Sequence, residues 1–419
     1  MPYVVALSMG GMMADTVLRP LPPGWRWVRL GEVCEEDRRV VVPDSLLALQ
    51  LPYLSLEHVE SNSGRILKQP SDIAENEGKS TTFAFDARHV LYGKLRPYLN
   101  KVALPDFAGR CTTEIIPLLL RAGVDRTFLC WLLRRQETVQ AAMQGKTGSR
   151  MPRASMADLR DLLLPLPPLP EQRRIAAILA EQMAAVERAC AAAVAQLAAA
   201  RALPAAYLRA TFDSPEAREW PKRRLGEVCE VKGGKRLPPG TEFANGKTRH
   251  PYIRVIDFQY GTVKLDDLRY LDELTQAQIS RYIIRRDDVY ISIAGSIGIV
   301  GVIPDVLDGA NLTENAARIV IRDNAVLSRD FLARFLLSPP GQEFIKARTN
   351  MVGQPKLALE RIQTIGIPLP PLSVQRRIAA QLSEQMTAAE RLRRALEEQL
   401  EAVNRLPAAL LRRAFRGEL

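Results

Sequence analysis

The chain has 419 residues, 47% of them hydrophobic and 25% charged, with 58 lysines and arginines against 47 aspartates and glutamates and a formal net charge of +11. That length exceeds what one hydrophobic core supports and calls for two or three domains. The composition is that of a soluble globular protein with no uninterrupted apolar run of the roughly 18 to 20 residues a membrane span needs, and the positive excess favours a polyanionic partner over a small neutral metabolite.

The first residues, Met1 to Met13, are mildly apolar but carry neither a basic n-region nor a cleavage site. They read poorly as a secretory signal. Met9, Met12 and Met13 are alternative starts, and residues 1–20 are expected to be a dispensable or disordered extension. A frame opens at Leu21-Pro22-Pro23-Gly24-Trp25 and continues through Leu30-Gly31-Glu32-Val33-Cys34-Glu35. Beyond it, 89–104 and 112–120 have strand character, and Phe128, Leu132, Leu133 and Val139 give 126–142 helical spacing. Residues 21–168 are therefore a candidate α+β domain.

Pro165, Pro167, Pro168 and Pro170 fix φ and lack an N–H, which predicts a stiff extended connector. A long helix, assigned to 169–213, can start at its end, since Pro170 suits a first turn and Glu171 complements the positive helix terminus. Its apolar seam is Ile175, Leu179, Met183, Val186, Ala189, Ala193, Leu197 and Ala200. From Gln172 to Leu203 it would run about 48 Å. Pro204 is expected to kink it or to start a short last turn. Ala184, Ala185, Ala191, Ala192, Ala198 and Ala199 combine helix propensity with little bulk, so a partner helix could approach closely.

Everything then recurs. Trp220 and Leu225-Gly226-Glu227-Val228-Cys229-Glu230 repeat the opening frame at an offset of 195 residues. Strand character returns at 252–258, 289–303 and 316–321 and helical character at 331–347, giving a second α+β domain over 214–371. The string PLPPLSVQRRIAA at 368–380 nearly copies PLPPLPEQRRIAA at 165–177, now at an offset of 203. The helix that follows, over 372–419, has the seam Ile378, Leu382, Met386, Ala389, Leu392, Leu396, Leu400 and Val403, with Arg393, Arg394, Glu397 and Glu398 left for solvent-facing positions. Met183, Glu187, Arg188 and Phe212 reappear as Met386, Glu390, Arg391 and Phe415. One unit has been duplicated, its frames kept and its interiors diverged.

Reactive constellations are missing. The three histidines, His58, His89 and His250, have no metal spacing, and neither a GxSxG elbow nor a Walker A loop occurs. Gly295-Ser296-Ile297-Gly298 reads as a tight turn. Ser338-Pro339-Pro340 resembles a methyltransferase motif but has Gly341 where an aromatic would stack on the base, and Glu77-x-Lys79 has no upstream acidic partner. No metal or cofactor is expected on this chain, which is not expected to be an enzyme by itself. Cys34, Cys111, Cys130, Cys190 and Cys229 form no CxxC pair, which favours buried thiols in a reducing, cytoplasmic setting.

LPPGW with RLGEV, a variable domain, then PLPPL-x-x-QRRIAA and a long helix, all present twice from about Leu21 to Leu419, resemble the specificity subunit of type I restriction-modification systems. A further frame supports this: Arg150-Met151-Pro152-Arg153 corresponds to Gly353-Gln354-Pro355-Lys356, the second being the more typical form, while Val374-Gln375 departs from the usual Glu-Gln. The resemblance implies an α+β chain with two target recognition domains separated by two long helices in an antiparallel coiled coil with an approximate two-fold axis. Each domain would read one half of a bipartite, asymmetric double-stranded DNA site. Two modification subunits carrying S-adenosylmethionine would methylate adenine, restriction subunits with ATP and Mg would join them, and no membrane is involved. Partner contacts are expected at Gln172, Arg173 and Arg174 and at Gln375, Arg376 and Arg377. DNA contacts are expected at Lys79, Lys94, Arg96, Tyr98, Lys101, Lys146, Arg150 and Arg153 in the first domain. In the second they are Lys232, Lys235, Arg236, Lys247, Arg249, Asn350, Gln354 and Lys356. The competing readings are a standalone regulatory DNA-binding protein without catalytic partners, an enzyme with an unrecognised site, and a coiled-coil scaffold.

Overall fold

The computed structural model describes residues 20–43, 45–67, 80–144, 151–259, 261–349 and 355–419. The chain forms two compact units: residues up to Ala193 together with Gln399–Leu419, and Val194–Glu398. Each holds one mixed domain, the start of one long helix and the end of the other.

In the first unit the opening frame and the proline run close on each other. Arg26–Arg29 pairs antiparallel with Leu163–Leu166, Trp27 facing Pro165. A two-stranded ladder leaves an edge free, so proline is tolerated and the expected connector is partly a strand. One four-stranded sheet has the order Cys34–Glu36, Ile115–Leu120, His89–Gly93, Val102–Ala103. Another has Val40–Val41, Thr82–Phe85, Gly109–Thr112, Tyr53–Leu54. The strand expected over 89–104 is thus a hairpin, with a turn and a short 3-10 helix, Pro97–Leu99, in its middle. The helix expected over 126–142 is two, Arg126–Arg134 and Gln136–Gln144, broken where Arg135 is extended. There the Thr138 hydroxyl donates to the Leu132 carbonyl, satisfying an orphan acceptor of the first helix end.

The second unit is built the same way. Lys222–Arg224 pairs with Gly366–Pro368. The four-stranded sheet has the order Cys229–Gly233, Ala316–Ile321, Val289–Ser292, Val300–Val302, and His250–Ile253 lies between Arg269–Leu271 and Asn311–Leu312 in a smaller one. Residues 289–303 again form a hairpin rather than one strand, and Gly295 (φ 72°) and Gly298 (φ 87°) make its turn. Arg329–Leu337 and Pro339–Arg348 replace the single helix expected over 331–347. At their junction the Ser338 hydroxyl accepts from Gly341 N and Pro339 takes the first helical turn, so the Ser-Pro-Pro string is a helix cap.

The long helices are Leu169–Phe212, 44 residues, and Leu372–Ala414, 43 residues, each about 65 Å long. Within the first unit they run antiparallel: an Arg174 guanidinium N–H donates to the Leu419 carbonyl at 2.7 Å, and Cys190 Sγ meets Asn404 Oδ1 at 3.5 Å. In the second unit Arg201 reaches Glu397 at 2.9 Å. Neither Pro204 nor Pro407 ends its helix. Leu208 and Phe212 beyond the one, and Leu411 and Ala414 beyond the other, are buried in core clusters, which offsets the hydrogen bond each proline forfeits. The seam departs from expectation at one matched position. Ala189 is exposed and Leu392 is 45% exposed, while the adjacent Cys190 and Arg393 turn further inward. The first long helix also contains an 18-residue stretch of mean hydropathy 1.4, apolar enough by composition to cross a membrane, yet only 17% of that stretch is buried. Its apolarity comes largely from alanine.

All five cysteines are free, and Cys34, Cys111, Cys130 and Cys229 are buried. Burial pushes the Cys34 and Cys229 thiols up to about 12.

Candidate nucleic-acid interface

In the first unit the hairpin turn that follows His89–Gly93 lies against the segment at Pro152. Arg96 N donates to the Pro152 carbonyl at 2.7 Å, Ala154 N donates to the Lys94 carbonyl at 2.8 Å, and Leu95 and Arg153 form a bridge. Lys94, Arg96, Tyr98 and Arg153 are thereby brought to one loop cluster. Tyr98 is 50% exposed, and Arg96 and Arg153 are exposed. Two residues of this turn are left-handed without being glycine, Arg96 (φ 52°) and Asn100 (φ 50°). Such a backbone costs about 1 kcal/mol or more per residue and persists only where the surroundings hold it. The Pro152 carbonyl holds Arg96, and Asn100 Nδ2 donates to the Arg134 carbonyl at 2.8 Å. Arg153 is paired with Glu114 at 3.0 Å.

Lys101 does not join this cluster. Its ammonium donates to the Leu56 carbonyl at 2.6 Å, and burial lowers its pKa, so the expected DNA contact is an internal tie. Lys79, Lys146 and Arg150 lie outside the described residues.

The second unit repeats the juxtaposition. Leu357 N donates to the Ile293 carbonyl at 2.9 Å, and Ala294 bridges Lys356, beside the turn with the left-handed Gly295. Gly295 stands where the first unit has Arg96. On the neighbouring strand end, a Cβ at Gly234 would sit 2.0 Å from the Thr313 carbonyl oxygen. Only glycine permits that approach, and it brings Arg236 to Glu314. Arg236 Nε donates to Glu314 at 2.9 Å, and Lys235 lies 5.7 Å from the centroid of the Tyr282 ring. Burial works to raise the Glu314 carboxyl, but hydrogen bonds from Arg236 and Thr313 outweigh it and hold the group below its usual value. Ile293 N donates to the Asn315 carbonyl at 2.8 Å, which sets this turn beside Glu314, so Arg236 and its neighbour Lys235 lie on the strand end next to the turn that Lys356 bridges. Lys232 pairs with Glu230 along its strand, and Arg249 pairs with Glu273 at 2.7 Å near exposed Lys247, on a different sheet. Asn350 and Gln354 lie outside the described residues.

Glu114 and Glu314 were not among the sequence candidates, although Thr113-Glu114 and Thr313-Glu314 recur at similar places in the two domains. They orient the arginines and leave each cluster short of its full positive charge.

Of the expected partner contacts, Arg173, Arg174, Arg376 and Arg377 are exposed. Gln172 and Gln375 are not available: they are 1% and 0% exposed, with both amide ends bonded inside the chain. They are internal ties, not contacts. Among the described residues no group of three His, Cys, Asp or Glu side chains is placed to hold a metal ion.

Two matched α+β domains, each presenting a basic cluster of different chemistry from the same backbone frame, define a duplicated chain that offers two surfaces. Comparison with known proteins identifies the frame. The model of the type I restriction modification DNA specificity domain matches residues 22–189 and 217–402, and the chain belongs to that family. It is 30% identical over 162 residues to the specificity subunit of type I restriction enzyme EcoDI from Escherichia coli, covering 38% of this chain and about a third of that relative's length (34%). Among solved structures, it resembles a chain described in work on complex assembly and conformational transition of the type I R-M system, at 28% identity and a TM-score of 0.78, covering 96% of this chain and 100% of that one. It also resembles the HsdS subunit from Thermoanaerobacter tengcongensis, at 27% identity and a TM-score of 0.64, covering 96% and 99%.

Proposed function

We propose that this chain is the DNA sequence-specificity subunit of a type I restriction-modification complex, each recognition domain reading one half of a bipartite, asymmetric site. The observation that carries the reading is the paired loop cluster: Lys94, Arg96, Tyr98 and Arg153 in one unit, Lys235, Arg236 and Lys356 in the other, set in the same frame but with different side chains. Arginine and lysine suit phosphate contact, while arginine can also read guanine in the major groove. The chain itself contributes no catalysis in this reading. Modification subunits holding S-adenosylmethionine methylate adenine, and restriction subunits using ATP and Mg complete the complex in the cytoplasm. The exposed alanine-rich face of the first long helix and the exposed arginines Arg173, Arg174, Arg376 and Arg377 suit docking of such subunits. Methylome sequencing of cells producing the chain with its modification partner, with and without this gene, tests the proposal. Loss of one bipartite adenine motif is expected, and an unchanged methylome from an expressed complex overturns it.

A further inference from the structure

Gln172 and Gln375, second residues of neither loop cluster and remote in sequence from each other, make the same three bonds. Gln172 Oε1 accepts from Asp125 N at 2.8 Å, and its Nε2 donates to the carbonyls of Gly123 at 3.1 Å and Pro167 at 2.9 Å. Gln375 Oε1 accepts from Ser328 N at 2.9 Å, and its Nε2 donates to the carbonyls of Val326 at 2.9 Å and Pro370 at 2.8 Å. In each unit one side chain joins three segments: the first turns of a long helix, the proline linker, and the N-terminus of the recognition-domain helix, Arg126–Arg134 or Arg329–Leu337. Only an amide supplies two donors and an acceptor at once, and the proline linker has few N–H groups with which to make the bonds itself. Apolar packing also seats each domain on its helix start, with Phe128, Ile175 and Leu179 in one core cluster and Phe331, Ala379 and Leu382 in the other, and in the second unit Arg334 also reaches Met386 Sδ at 2.8 Å. Apolar packing is non-directional, whereas hydrogen bonds fix direction.

We infer that Gln172 and Gln375 are positioning residues that set which half-site spacing the protein accepts. The inference rests on the proposed reading of a bipartite site. Each clamp fixes the angle between a recognition domain and the long helix that both units share, so a loosened clamp lets the domain meet DNA in more than one register. One base pair of spacer moves a half-site by about 3.4 Å and rotates it by about a tenth of a turn, so a small angular freedom suffices.

The test uses the full chain produced with its modification partner. Gln375→Met and Gln172→Met keep side-chain length and remove all three bonds, and Gln375→Glu retains acceptance from Ser328 N should the methionine form fail to fold. Methylome sequencing counts methylated copies of the bipartite motif at the native spacing and at spacings one base pair shorter and longer, and thermal melting and segment hydrogen exchange check that each variant is folded. The ratio of native to off-spacing methylation is expected to fall at least about tenfold, the scale of one lost specific contact. Folded variants with wild-type spacing discrimination overturn the inference, even if overall methylation drops. A wild-type chain that yields no bipartite motif overturns the proposed function instead.

Discussion

Replacing Phe415 by alanine removes a ring that is 1% exposed and 5.3 Å from the ring of Phe128. Burying an aromatic side chain takes about 150 to 250 Å² from water, an upper bound of about 4 to 6 kcal/mol at 25 cal/mol per Å². Phe→Ala changes in cores cost about 3 to 5 kcal/mol, so about 4 kcal/mol is the expected loss, nearly a thousandfold in the opening equilibrium of the surrounding segments. The location of the loss is the sharper expectation. Phe415 follows the second long helix, whose start belongs to the second unit, yet it lies in the core of the first with Leu411, Ala414 and Phe128. Hydrogen exchange read by mass spectrometry should therefore accelerate across Arg126–Arg134 and Ile115–Leu120 and leave Arg329–Leu337 unchanged. Segment-level exchange is the right assay because a chain of two units need not unfold in one step. Phe212→Ala reverses the pattern, since Phe212 ends the first long helix but meets Phe331 and Phe335 at 5.5 Å in the second unit. Acceleration in Arg329–Leu337 for Phe415→Ala, or none anywhere, would refute the assignment of helix ends to cores.

The remaining expectations concern the loops and the acid range. Arg96→Gly places glycine in a left-handed position, as Gly295 already is in the other unit, and so should keep or raise the melting temperature while weakening DNA binding; a clear fall in melting temperature would show that no strain is held there. Arg236→Ala should weaken binding to all DNA sequences and reduce the slope of log K against log salt by about one, measured by fluorescence titration. An effect confined to one base position would instead make Arg236 a base reader. Asp37 and Asp86 flank buried His89 at 3.1 and 3.0 Å. Burial works to raise Asp37 but is outweighed by hydrogen bonds from His89 and Arg39, and the hydrogen bond from Arg88 pulls Asp86 well below the usual range. Depressed carboxylates stabilise the fold above their ordinary pKa of about 4, and that contribution is lost as pH falls further. Denaturant midpoints of the first unit should therefore drop below about pH 4, and less so in Asp86→Asn; a midpoint that rises on acidification contradicts the sign.

The duplication, the α+β content and the long helices were legible because each rests on a pattern that local sequence carries. The hairpins were not. Apolar residues such as Leu95 and Leu99 continue through the turn after His89–Gly93, so alternation gives no stop; Pro97 and Asn100 are turn residues within it, and the reversal also depends on a left-handed Arg96 that propensity disfavours. The helix break at Ser338 was readable from its serine and two prolines, whereas the break at Arg135 rests on a threonine three residues later. The loop cations were visible as residue types, but Lys101 looked like a loop cation until its ammonium was found on the Leu56 carbonyl. The repeated Gln-Arg-Arg string invited one explanation for three residues. The arginines face out and the glutamine faces in: Gln172 and Gln375 lie three residues before Ile175 and Ile378, on the seam face, so their inward position was legible, whereas the distant segments they bond to were not.

The comparison of the two turns bears on how the two units could differ in what they read. The two turns share a left-handed residue at matched positions, Arg96 and Gly295, and a bridge to the segment at Pro152 or Pro355, while each unit has an arginine held by a glutamate, Arg153 by Glu114 and Arg236 by Glu314, on different segments. Arg96-Pro97-Tyr98 puts a guanidinium and a phenol on that backbone, while Gly295-Ser296-Ile297 puts only a hydroxyl and an aliphatic group. The second turn thus has no long cation of its own, and its charge comes from the adjoining Lys235, Arg236 and Lys356. Exchanging the turns tests this directly. Arg96→Gly with Tyr98→Ile should impair the first half-site, whereas Gly295→Arg should change little in the second, because its reading groups sit on neighbouring strands.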